Sequence, residues 1–153
     1  MNFKSFEELI QFAIEKEREA IEFYESASKQ EPYSGGKQTF LDFAKEEKKH
    51  EALLAGFLKG DKKLEDYRLK WIPDMKRSDY MVDTKYKKGM AYPDMLRLAM
   101  KREEKSLQLY NDLASKSEKS DLAKVFKMLS QEEATHKLKL ETIYDDYMAK
   151  MGD

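Results

Sequence analysis

Displaced by 86 places, the most distinctive residues of this chain fall on themselves. Ala13 lands on Ala99, Glu17 on Glu103, Tyr24 on Tyr110, Phe40 on Phe126, Glu47 on Glu133 and His50 on His136. Those two histidines are the only ones in 153 residues, and each follows a glutamate by three places in the stretches "EKKH" and "EATH". Within each copy, the lone glutamate and the glutamate of the Glu-x-x-His pair are 30 residues apart. Two copies of one supersecondary unit, related by a pseudo-two-fold axis, account for the pattern.

The apolar period says what that unit is. "SFEE" offers a capping box, Ser5 as N-cap with Glu8 three places on, followed by Leu9, Ile10, Ala13, Ile14, Ala20, Ile21, Tyr24 and Ala27 on one stripe, so a helix is expected over about 6–30. After the turn "EPYSGG", a second helix over 36–59 turns Phe40, Phe43, Ala44, Leu54, Phe57 and Leu58 inward and closes at Gly60 as a C-cap. A third helix, over 93–116, starts at Pro93, a favoured first-turn residue, and carries Leu96, Ala99, Met100, Leu107, Tyr110 and Leu113. The fourth, over 119–150, carries Val125, Phe126, Leu129, Leu140, Ile143, Tyr144 and Tyr147. Short links make each pair of helices an antiparallel hairpin. Between the hairpins, residues 60–92 show no sustained period, yet include Trp71, Ile72, Tyr80, Met81 and Tyr86. A connection of this length can run the roughly 36 Å of a 24-residue helix, which predicts a crossover strap lying on the bundle or on a second copy of it. The expected architecture is all-α, a single four-helix bundle over 1–153, and a homodimer is expected.

The polar interruptions of the stripes carry the chemistry. Glu17 interrupts the first stripe and Glu103 the third, while Glu47 with His50 and Glu133 with His136 interrupt the second and fourth. Residues three apart on a helix point to nearly the same side, so each pair acts together. Four inward carboxylates are very costly unless paired or neutralised. Two divalent cations would balance the four negative charges, with the neutral imidazoles completing two equal sets of three ligands. Tyr24 and Tyr110 are either core residues or hydrogen-bond partners set behind the ligand carboxylates.

Composition removes the competing classes. With 29 basic residues against 30 acidic ones, the formal charge is −1, and no basic stripe suggests nucleic acid or anionic lipid. Cysteine is absent, which excludes disulfides, iron–sulfur clusters, thiolate zinc sites and a built-in rubredoxin-type module, so redox chemistry here needs an external electron donor. The N-terminus is charged throughout and no apolar run approaches membrane-spanning length, so a cytoplasmic protein is expected.

A lone glutamate on the first and third helices, a Glu-x-x-His on the second and fourth, and a long crossover resemble the ferritin-like di-iron carboxylate superfamily. "EREAIEFY", with its tyrosine seven residues after the glutamate, most resembles the rubrerythrin branch. The resemblance implies Glu17, Glu47, His50, Glu103, Glu133 and His136 as ligands to two iron ions, with manganese or zinc also suited to the donors. It implies Glu47 and Glu133 as bridging carboxylates. The family usually has a further glutamate one turn after the third-helix ligand, and here that position is Ser106. Three functions follow from such a site: a redox enzyme that reacts with peroxide or O2 and is re-reduced by a separate electron-transfer protein, an iron-oxidising storage protein, or a bundle merely clamped by metal.

Overall fold

The computed structural model describes residues 5–30, 34–58, 80, 87, 90–116 and 121–151. They form four helices: α1 (Phe6–Gln30), α2 (Ser34–Leu58), α3 (Tyr92–Lys116) and α4 (Asp121–Met151). No strand occurs among the described residues, and the fold class is all-α. Two compact units divide the chain, Met1–Ser78 and Asp79–Asp153. The first contains α1 packed on α2, the second α3 packed on α4. Each repeat of the sequence is therefore one helical hairpin. Among the described residues, no helix is long and apolar enough to cross a membrane.

Helix starts follow from local chemistry. The first N–H groups of a helix have no intrahelical acceptor. At α1, Ser5 supplies one, its Oγ accepting from Glu8 N at 3.1 Å, while its carbonyl accepts from Leu9 N at 3.1 Å. At α3, the Ala91 carbonyl accepts from Met95 N at 2.9 Å. Pro93 falls in that first turn, where its missing N–H sacrifices no hydrogen bond. α2 begins at Ser34, two residues ahead of the expected start, and ends at Leu58. α4 begins at Asp121, two residues later than expected. Gly60, expected as the C-cap of α2, lies outside the described residues, as do Trp71, Ile72, Met81 and Tyr86 of the crossover. Tyr80 is described: it is buried, and its hydroxyl donates to Asp112 Oδ2 on α3 at 2.7 Å.

Each hairpin is antiparallel, since residues late in one helix meet residues early in the next. In the first unit, Tyr24 stacks on Phe40 with ring centroids 6.1 Å apart and meets Phe43 edge-on at 5.2 Å. In the second, Tyr110 stacks on Phe126 at 6.3 Å. The interplanar angles, 17° and 14°, match as closely as the distances, so the sequence repeat extends to side-chain packing. The stripes bury as expected at Leu9, Ile10, Ala13, Ile14, Ile21, Ala27, Ala44, Leu54 and Phe57, and at Leu96, Ala99, Leu113, Leu129 and Leu140. Ala20, Leu58, Met100, Leu107, Val125, Ile143, Tyr144 and Tyr147 are only half-buried, at the edges of those stripes. Among the described residues, five further apolar side chains are buried outside the expected set: Phe12, Phe23, Met95, Leu98 and Leu109. The repeat relates four of them, Phe12 to Leu98 and Phe23 to Leu109.

Candidate metal centre

Glu17 sits between Ile14 and Ile21 on the buried face of α1 and is 1% exposed. On α2, Glu47 and His50 lie one turn apart on the face that also buries Phe43, Ala44, Leu54 and Phe57. Helix geometry alone thus turns three polar side chains toward one place. His50 Nδ1 is 3.6 Å from Glu17 Oε1 and 3.8 Å from Glu47 Oε2. Each of the three offers a possible ligand atom within 4.8 Å of the other two.

The second unit repeats the arrangement. Glu103 lies between Ala99 and Tyr110 on the buried face of α3, while Glu133 and His136 share the buried face of α4 with Leu129 and Leu140. His136 Nδ1 is 3.6 Å from Glu103 Oε1, the same separation as in the first unit. The ligand atoms of Glu103, Glu133 and His136 also lie within 4.8 Å of one another. All six sequence-selected residues are therefore buried and gathered into two triads of like composition, with none left on the surface.

Each residue has further interactions of its own, yet particular buried atoms make no hydrogen bond: Glu17 Oε2, Glu47 Oε1 and His50 Nδ1 in one unit, Glu103 Oε2, Glu133 Oε1 and His136 Nδ1 in the other. The donor chemistry fits a metal. Carboxylate and imidazole ligands hold a first-row divalent ion at about 2.0–2.2 Å, so ligands on opposite sides of one ion stand about 4 Å apart. Oxygen and nitrogen atoms already within 4.8 Å need little movement to reach that span. Such a donor set suits iron, manganese and zinc alike.

Tyr24 and Tyr110 are each 1% exposed and occupy the same faces of α1 and α3, seven residues beyond Glu17 and Glu103. Ser106, one turn past Glu103, is half-buried. Around each triad the outer surface carries ion pairs between the helices. Arg18 Nε donates to Glu51 Oε1 at 2.7 Å, and Lys48 Nζ is 3.5 Å from Glu25 Oε1. In the second unit, Lys137 Nζ is 4.0 Å from Glu104 Oε1. Ser130, one turn before Glu133, is buried and its hydroxyl donates to Asn111 Oδ1 of α3 at 2.5 Å. The equivalent pair in the first unit is Ala44 and Glu25, so this hydrogen bond has no counterpart there and the repeat did not reveal it.

The family model for rubrerythrin matches residues 8–144, a span that contains every residue of both triads. The chain belongs to the rubrerythrin family. It is also similar to a solved structure of a hypothetical protein from Pyrococcus furiosus, with 28% sequence identity and a TM-score of 0.69, over 92% of this chain and 89% of that one. Comparison with curated proteins gives no significant match. Family membership and the buried carboxylate and histidine triads together suggest a di-iron site.

Proposed function

We propose that this rubrerythrin-family chain is a non-haem dinuclear-iron redox protein that reacts with peroxide or O2 and is re-reduced by a separate electron-transfer protein. The observation that carries the reading is the pair of like triads, Glu17–Glu47–His50 and Glu103–Glu133–His136, each within 4.8 Å internally. Six protein ligands for two ions leave coordination positions for a small oxidant, which a purely structural site would close. When bound, two adjacent ferrous ions supply one electron each, the two electrons that cleavage of an O–O bond requires.

The roles of the chain's own residues follow from that reading. Glu17, Glu47 and His50 of the first unit and Glu103, Glu133 and His136 of the second would hold the ions, Glu47 and Glu133 being the carboxylates that the family resemblance implies as bridges. A helical side chain leans toward the N-terminus of its helix, so Tyr24 and Tyr110 would lean back toward the ligand level and donate hydrogen bonds to the carboxylates from behind. At position 106 the serine offers no carboxylate. With no carboxylate there to replace them, His50 and His136 would remain the imidazole ligands throughout turnover. The 153 residues hold no cysteine with which to ligate an electron-transfer iron, which is why the donor is assigned to a partner protein.

Stopped-flow mixing of anaerobic, ferrous-loaded protein with peroxide, and separately with O2, tests the proposal. Oxidation of the site in a single turnover is expected, with repeated turnover only when an electron donor is added. If neither oxidant changes the optical spectrum within minutes, the redox reading fails and iron bound without chemistry takes its place. A variant Ser106→Glu is expected to alter the spectrum of the oxidised site or its peroxide rate.

A further inference from the structure

Each helix carries a charged residue directly after its lone glutamate or its histidine: Arg18 after Glu17, Glu51 after His50, Glu104 after Glu103 and Lys137 after His136. These four residues form two ion pairs across the hairpins. Arg18 on α1 meets Glu51 on α2 at 2.7 Å, and Lys137 on α4 lies 4.0 Å from Glu104 on α3. The pairs are equivalent under the repeat, but their signs are exchanged. In the first unit the cation follows the lone glutamate, in the second it follows the histidine.

That exchange separates two roles a charge beside a metal ligand can have. If these charges served to set the electrostatic field at the ligands, the sign at equivalent positions would be the shared property. It is the reverse. The shared property is that opposite charges face each other from one helix to the next, at the level where His50 Nδ1 stands 3.6 Å from Glu17 Oε1 and His136 Nδ1 stands 3.6 Å from Glu103 Oε1. We infer that Arg18–Glu51 and Glu104–Lys137 are positioning pairs, each tying the lone-glutamate helix to the Glu-x-x-His helix so that its triad is held at ligand spacing. This inference rests on the metal reading above. The ties are unequal: Lys137 is also 3.7 Å from Glu141 on its own helix, so its charge is divided, whereas Arg18 and Glu51 form a close hydrogen-bonded pair. The first triad is consequently the better held.

Titration of the metal-free protein with Co2+, followed by its optical bands, decides the matter. Exposed ion pairs contribute little, Arg18 being about two-thirds exposed, so the effect expected is roughly 2- to 5-fold. Arg18→Gln is the deciding variant because the two roles predict opposite signs. Removing a nearby cation strengthens Co2+ binding if only the field matters, and releasing the helix tie weakens it. The expected result is that Arg18→Gln and Glu51→Gln each weaken one of the two binding steps 2- to 5-fold and leave the other unmoved. The double variant Arg18→Glu, Glu51→Arg, which copies the arrangement of the second unit, is expected to restore the wild-type value within twofold. Lys137→Gln acts on the other step, and by less. Tighter binding by Arg18→Gln, no change, or equal weakening of both steps would overturn the inference while two Co2+ ions bound by the parent leave the metal reading standing. A parent that binds no Co2+ overturns both.

Discussion

A single position on a helix decides whether a glutamate belongs to the site. Glu46 and Glu47 are neighbours, as are Glu132 and Glu133, yet the second of each pair is 1% exposed and the first is only half-buried. One residue is about 100° of rotation, enough to take a carboxylate off the buried face. Metal content therefore distinguishes them: Glu47→Ala and Glu133→Ala are expected to lose one or both metal ions on purification, and Glu46→Ala and Glu132→Ala to retain both. Equal metal content across the four variants would remove the assignment. The six triad residues were legible in the sequence because each interrupts an apolar stripe with a group that water would otherwise solvate. Ser130 and its bond to Asn111 were not legible, because a buried serine looks like any small core residue until its partner is placed.

Helices bury more than the stripe that carries their function. Taken from Glu17 at 100° per residue, Phe12 and Phe23 lie about 120–140° round α1, outside the arc that one neighbouring helix covers. They are nevertheless 4% and 3% exposed. Lys16 sets its ammonium 5.3 Å from the Phe12 ring centroid, and Phe23 lies edge-on to Tyr24 at 5.5 Å. The period predicted the existence and nearly the bounds of all four helices. It missed this second flank because a stripe drawn through the polar interruptions follows one face only, and Phe12, beside Gln11, and Phe23, beside Glu22, fall off that stripe. Their burial makes them structural. Phe23→Ala should cost about 3–5 kcal/mol of unfolding free energy, whereas truncating the exposed Leu138 of α4 should change it by less than about 0.5 kcal/mol. Denaturant midpoints at unchanged m-value would measure both, and similar losses would contradict the burial of the flank.

Across the whole molecule, two hairpins of the same apolar code raise a problem of identity during folding. Phe40 and Phe126, Phe43 and Leu129, Leu54 and Leu140 occupy equivalent positions, so hydrophobic matching alone lets α1 accept α4 nearly as well as α2. The exchanged signs tell the helices apart. Arg18 meets Glu51 in the native hairpin but would meet Lys137 in the wrong one, and Glu104, which natively meets Lys137, would meet Glu51. Like charges brought together in this way penalise the wrong partner, so specificity comes from repulsion as much as from attraction. The double variant Glu104→Arg, Lys137→Glu keeps a native pair in each hairpin while giving both hairpins the same polarity. Its equilibrium stability should stay within about 1 kcal/mol of the parent, but its refolding should gain a slow phase as mispaired chains separate and try again. Identical refolding traces for variant and parent would show that the two halves recognise one another by other means. A duplicated unit keeps its geometry by repeating itself and its pairing by differing, and the exchanged charges of Arg18, Glu51, Glu104 and Lys137 are one such difference in this chain.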